Sequence, residues 1–391
     1  MRIPRFIALA ATATLVAAAC TTGGGATAGP TLPTSVGDGE GKLSVLAWPG
    51  YAEDGSTDPA VDWISSFETE TGCQVTVQVF GTSDEAFTLF QTSPEQFDVL
   101  SASGDASLRL VAGNFVQPVN VDLIPSYAQI FDDLKDKDYN TVDGVHYGVP
   151  HGRGANLLMW RTDLVDPAPT SWAQMFDPAS PFAGKFSVYD APIYIADAAV
   201  VLMATNPGLG IKNPYSLDAT QLAAAVDLLK KQKPAVGEYW SDYTKQIDSF
   251  TNGNTTIGTT WQVIANVLQG AGATVDVTLP PEGATGWSDT WMINSKTKNI
   301  NCAYKFLNHI TSAPVNIQIA EYFGEAPGNR ESCALAVNPD HCEIYHAAEV
   351  DYWKNVWYWT TPVEKCLDGR TDVKCTTFED WVKAWQEVRA S

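Results

Sequence analysis

Leu43-Ser44-Val45-Leu46-Ala47-Trp48-Pro49-Gly50-Tyr51 opens the folded part of this chain, and the architecture follows from it. A short apolar run that ends in Pro-Gly predicts a buried strand delivered into a turn. Further on, Ala60, Val61, Ile64 and Phe67 share one face of a helix expected over positions 58–70, with Gly72 placed to stop it. Val75, Val77 and Val79 alternate as a second strand. A helix is expected near 84–91, a short buried strand at Phe97-Asp98-Val99-Leu100, and a helix over 107–112. This βαβαβα order predicts an open parallel sheet with helices on both faces. Ligands of such sheets bind beyond the carboxyl ends of the strands. The loops around Trp48 and around Ser103-Gly104-Asp105 lie at such ends.

A second α/β unit is expected from about Val149-Pro150. Strands are predicted at 156–160, 186–190, 256–261 and 275–279, and 287–293 carries the chain back. Helices are predicted after Ser171, over 195–204 and 219–230, and from 261 through 269. Two more follow, over 301–310 and 313–322. The tryptophan-rich stretches 350–359 and 377–388 read as helical. No internal repeat is visible.

Outside the core, Met1-Arg2-Ile3-Pro4-Arg5 is a short basic start, and the apolar run after it is too short to span a bilayer. That is the shape of a secretory signal over 1–19. Its end, Leu15-Val16-Ala17-Ala18-Ala19-Cys20, resembles a bacterial lipobox, which implies lipidation of Cys20. The Gly/Thr/Ser/Pro-rich stretch 20–41 is expected to be a flexible, lipid-anchored linker. The formal charge of -21 argues against nucleic acid or an anionic membrane surface as partner. The cysteine count is seven, six if Cys20 carries lipid, an even number in an exported chain. Counting alone leaves the pairing open. Spacing suggests two local loops, Cys333–Cys342 and Cys366–Cys375, leaving Cys73–Cys302 as a long-range link. HExxH, GxSxG and CxxC are absent, so no metal, cofactor or catalytic motif presents itself.

The order of Leu46-Ala47-Trp48-Pro49-Gly50-Tyr51, Phe67-Glu68-Thr69-Glu70-Thr71-Gly72, Phe97-Asp98-Val99, Tyr147-Gly148-Val149-Pro150, Thr170-Ser171-Trp172 and Gly286-Trp287-Ser288-Asp289 resembles the extracellular solute-binding proteins of ABC importers, in their spermidine/putrescine-binding branch. The resemblance implies a periplasmic-binding-protein-like α/β fold, with two lobes, two crossover strands and a central cleft. Lobe one would take 42–150 and 290–330, lobe two 151–289 and 331–391. It further implies a monomeric, extracytoplasmic binding protein that is not an enzyme and that hands a small cationic ligand to permease subunits. A sugar, amino acid or other zwitterion on the same fold is the alternative. Ferric binding is disfavoured because no adjacent tyrosine pair occurs.

Residues carry over one by one. Trp48 and Tyr51 match the first aromatic pair, and Ser103 a loop serine at one ligand end. Asp105 stands where the family more often has an aromatic residue. Asp190 matches a carboxylate for a terminal amine, while Ile193 replaces a glutamate three residues later. Trp261 and Trp287 match two tryptophans that sandwich an alkyl chain, and Asp289 an aspartate for an inner amine. Glu325 falls near a position where the family tends to have tyrosine. The chemistry is coherent: carboxylates answer ammonium charges, and aromatic faces answer both methylenes and cations. Trp357-Tyr358-Trp359 lies near a contact region but cannot be placed in register. Arg153, near a crossover, reads as a hinge ion pair, with capture of a ligand carboxylate as the alternative.

Overall fold

The computed structural model describes residues 32–391. The expected leader, Cys20 and the first part of the linker lie outside them. Two α/β lobes stand on a small connecting sheet. In the first lobe, Lys42–Ala47 lies parallel to Gln74–Val79 on one side and to Val99–Ala102 on the other. Thr290–Asn294 completes this sheet antiparallel to Val99–Ala102, with Thr290 opposite Ala102. Both faces are covered, as parallel strands require. Leu43, Val45 and Ala47 enter one apolar cluster, and Leu46 and Leu100 enter another.

The second lobe is built on Phe186–Tyr189, parallel to Val236–Trp240 and Ile257–Thr260. Leu157–Arg161 then runs antiparallel between Ile257–Thr260 and Val275–Thr278. The connecting sheet has the order Ala326–Pro327, Gly152–Ala155, Ala284–Trp287, Val356–Tyr358. Gly152–Ala155 and Ala284–Trp287 are the two crossover strands.

Several expectations need correction. The first helix begins at Ile64, six residues late, because the chain between Tyr51 and Trp63 forms a loop closed by an Asp54–Asp62 bridge; Gly72, at φ 70°, does stop it. The stretch 350–359 is not one helix. It gives a single turn, Val350–Trp353, and then a strand, Val356–Tyr358, which pairs in register with Ala284–Gly286. Its aromatic and β-branched residues suit a pleated edge better than a helix. The linker is not free up to Gly41. Glu40 accepts hydrogen bonds from the backbone N–H groups of Asn301 and Cys302 at 3.0 and 2.9 Å. These are orphan donors in the first turn of Ile300–Ile310, so an acidic side chain docks there readily. Residues 331–391 do not stay whole with the second lobe. Ser332 bonds the Ala313 carbonyl in the first, and Phe378–Ala390 packs in the second.

The three cysteine pairs are joined, with Cα–Cα distances of 5.9, 5.9 and 5.2 Å for Cys73–Cys302, Cys333–Cys342 and Cys366–Cys375. Cys73–Cys302 spans a sequence separation of 229, the two others 9 each. A longer closed loop removes more entropy from the unfolded chain. Cys73→Ser/Cys302→Ser is therefore expected to cost about 2–3 kcal/mol more than Cys333→Ser/Cys342→Ser. Urea midpoints of the two double variants measure the difference.

Candidate functional site

Asp289 sits where the crossover strand Ala284–Trp287 ends and the first-lobe strand Thr290–Asn294 begins. Its backbone carbonyl accepts from His151 N–H at 2.9 Å, which ties the two crossovers together. Its side chain is 4% exposed. Oδ2 accepts from the Tyr51 hydroxyl at 2.9 Å, and Oδ1 has no hydrogen-bond partner in the protein. Burial raises its pKa to about 6, against the lowering effect of the Ser103 and Tyr51 hydroxyls. Ser103 in turn accepts the indole N–H of Trp48 at 3.1 Å.

Asp105 is the second residue of the helix Gly104–Ala112, which begins three residues earlier than expected. It is 6% exposed, and its Oδ1 also lacks a partner. Burial lifts its pKa to about 7; Ser83 and Arg109 pull it down, and Asp84 and Asp289 push it up. Asp289, at the junction of the lobes, thus bears on Asp105 of the first lobe.

The second lobe faces them with rings. Tyr189 has its hydroxyl pKa raised by burial and then by Asp105, Asp289, Asp84 and Asp190, so it lies within electrostatic reach of these acids. It stacks on Trp359 at 5.5 Å and lies 5.8 Å from Trp261. Trp261 meets Trp287 at 6.4 Å, and Trp287 meets Phe323 edge-on at 5.8 Å. Trp261 is oriented by Asn156, whose Oδ1 accepts its indole N–H at 3.0 Å. Trp287 has no partner for its own N–H. Gly154 has no Cβ because that atom would collide with the Trp287 ring. Trp48 stays on its own lobe, 4.5 Å from Phe80.

Three expected contact residues are placed differently. Tyr51 is fully buried against His151, Phe323 and Trp291, so its ring belongs to the first-lobe core and only its hydroxyl reaches the acids. Glu325 is also fully buried, behind Tyr51, with Oε2 3.3 Å from that hydroxyl and Oε1 3.3 Å from His151 Nε2. Asp190 accepts from Trp385 Nε1 at 3.2 Å and pairs with Arg389 at 3.4 Å. Strand parity explains this: neighbours on a strand point to opposite faces, so Tyr189 faces the acids while Asp190 faces Phe378–Ala390. Alternation along Phe186–Tyr189 was the available signal for Tyr189; Trp359 lies in the stretch that the resemblance puts near a contact region without a register, and Asn156 carried no signal. Arg153 is a hinge ion pair with Asp133, and it also bonds the Ala347 carbonyl and lies 4.3 Å from the Trp353 ring. A separate open cavity of about 370 Å³, lined by Asp133, Tyr139, Tyr215 and Trp357 among others, lies near this pair. Among the described residues no cluster suited to a metal ion occurs.

A family model described as bacterial extracellular solute-binding protein matches residues 62–341. The chain belongs to that family. It is a family of transport proteins and not of enzymes: its ABC-importer members bind small ligands outside the cytoplasm and pass them to permease subunits. This solute-binding protein is 24% identical to the spermidine/putrescine-binding periplasmic protein of Escherichia coli over 294 residues, 73% of this chain and 81% of that one. In fold it is similar to a spermidine/putrescine ABC transporter protein of Listeria monocytogenes, with TM-score 0.71, 19% identity, and coverage of 89% of this chain and 99% of that one. It is also similar to a binding protein of A. tumefaciens in complex with glucopine, with TM-score 0.65, 16% identity, and coverage of 89% and 99%. Among the described residues no helix is long and apolar enough to cross a membrane.

The buried acids have a stability signature. A carboxyl with a raised native pKa keeps its proton in the folded state after the unfolded chain has lost it. Asp105 and Asp289 thus support the fold below about pH 4, and that support is lost as pH rises toward 6 and 7. Asp289→Asn and Asp105→Asn should each raise ligand-free stability at pH 7, by on the order of 2 kcal/mol, with the gain vanishing near pH 4. Thermal melts across that range check this.

Proposed function

We propose that this protein captures a small cationic amine of the polyamine class in the cleft between its lobes, anchored to the membrane by lipid on Cys20 and acting as a monomer. The observation that carries the reading is the pair of carboxylate oxygens, Asp105 Oδ1 and Asp289 Oδ1, buried without a partner and within electrostatic reach of Tyr189, which packs with Trp261 and Trp359. A buried carboxylate without a cation is costly. An ammonium group would offset that cost, and Tyr189, Trp261, Trp287 and Trp359 would cover the methylenes beside it.

In this reading Asp289 and Asp105 hold the charge, Ser103 and Tyr51 orient Asp289, and Trp48 supports Ser103. Asp190, already paired with Arg389, takes no amine. With Ile193 in place of a second acid on that side, the ligand's charge is concentrated at the first lobe. A zwitterion fits less well, because Arg153 is committed to Asp133 and Ala347. Likeness to polyamine-binding relatives supports the ligand class, and their low identity leaves the particular amine open.

Calorimetric titration with putrescine, spermidine, agmatine and a neutral sugar tests this. At least one amine should bind, the sugar should not, and Asp289→Asn should weaken the amine by about ten- to a hundredfold. Absence of heat with every amine would end this reading.

A further inference from the structure

Two groups of polar side chains converge on Asp289. In one, Trp48 Nε1 donates to Ser103, whose hydroxyl helps to lower the Asp289 pKa. The other begins at Trp291 Nε1, which donates to His151 Nδ1 at 2.9 Å. An indole nitrogen only donates, so His151 Nδ1 carries no hydrogen. Burial holds the His151 ring neutral, with its pKa down at about 3. Its proton is therefore on Nε2, which lies 3.3 Å from Glu325 Oε1 without the alignment of a hydrogen bond. Beyond Glu325 stands Tyr51, whose hydroxyl is within reach of both Glu325 Oε2 and Asp289 Oδ2, at 3.3 and 2.9 Å. A phenol has one hydrogen, and it goes to the nearer oxygen, on Asp289. The contact with Glu325 then needs a hydrogen from Glu325 itself.

We propose that Glu325 is a positioning residue that works as a neutral carboxylic acid, donating to Tyr51 so that Tyr51 donates to Asp289, and that the base of the cleft therefore meets its ligand with one negative charge where the sequence shows two. The bond from Glu325 to Tyr51 and the bond from Tyr51 to Asp289 then run in one direction, toward Asp289. The surroundings agree. Glu325 is fully buried, and among the described residues its one ion-pair contact is the neutral His151. His341 reaches only its backbone carbonyl, and Tyr345, the other titratable group facing it, is a phenol held by Asn266. Burial and then the Asp289 charge push the Glu325 pKa well up. Gly152 lies against the carboxyl so closely that a Cβ there would collide with it.

This inference rests on the amine reading for its ligand consequence, though not for the state of Glu325. The test therefore has a readout without ligand. Infrared spectra of the full-length protein at pH 7 should show a buried protonated-carboxyl band that Glu325→Gln removes. Calorimetry with putrescine and spermidine should then find Glu325→Ala weaker by about tenfold. Glu325→Gln, whose amide can still donate to Tyr51, should restore most of that loss. A missing band would mean Glu325 is charged and would overturn the proposal. So would a full band with Glu325→Ala binding as tightly as the natural protein, or with Glu325→Gln as weak as Glu325→Ala. If Glu325→Ala does not fold, the band and the Glu325→Gln affinity still decide. A band that Glu325→Gln removes, in a protein that binds no amine, would support the neutral Glu325 and refute the amine reading.

Discussion

A negative charge at Asp289, held out of water at the point where the lobes are joined, is the constraint around which the rest is arranged. Its backbone carbonyl bonds His151 of the other crossover, so the residue belongs to the pivot as well as to the cleft. Its side chain receives the Tyr51 hydroxyl and is influenced by Ser103. Such hydroxyl groups lower the cost of the charge without abolishing it, because hydrogen bonds spread the charge and do not neutralise it. What remains is a standing penalty in the ligand-free protein, kept at a functional position and offset elsewhere in the fold.

The elements around the cleft distribute the work unequally. The first lobe supplies the acids, on a helix N-terminus and at a strand break. The second supplies hydrophobic area from Tyr189 and Trp261, together with Trp287 and Trp359 of the connecting sheet and the stretch after it. Acids alone would bind a hydrated metal ion or a lone ammonium as readily as a longer chain. Rings alone would accept any flat or apolar solute. Requiring both in one small volume selects a molecule with a charged end and an apolar stretch.

The sequence revealed most where the physics is local. Much of the strand and helix order along Leu43–Ile310 follows from alternation, periodicity and stop signals, though Val236–Trp240 and Tyr243–Thr251 were not expected, and Gly72 and the Thr377 cap act as their residue types predict. Trp48, Ser103, Asp105, Trp261, Trp287 and Asp289 all lie at the ends of elements where such folds gather ligands. It revealed less where a partner is far away in the chain. Asp190 looks free until Trp385 and Arg389 come back on the last helix, 195 and 199 positions later. Tyr51 and Glu325 look like cleft residues until His151 and Phe323 close over them. Trp359 became assignable only once Val356–Tyr358 was seen to be a strand with a fixed register against Ala284–Gly286.

That strand also explains how the lobes meet without the acids holding them. Trp359 N–H bonds the Gly286 carbonyl at 2.7 Å, and two residues on, Thr361 N–H bonds the Gly104 carbonyl at 2.9 Å. The Thr361 hydroxyl adds contacts to the carbonyls of Gly104 and Asp105 and to Leu108 N–H. A short strap of backbone thus runs from the connecting sheet to the acid-bearing loop, so close that Gly104 has no room for a Cβ beside the Trp359 carbonyl. Among the described residues, no hydrogen bond links the side chains of Asp105 or Asp289 to Tyr189, Trp261 or Trp287. Rings and acids therefore face each other with shape but without a bond. A cation between them would supply attraction that exists only when the lobes are together, and such differential affinity is what shifts a hinged protein toward its closed form.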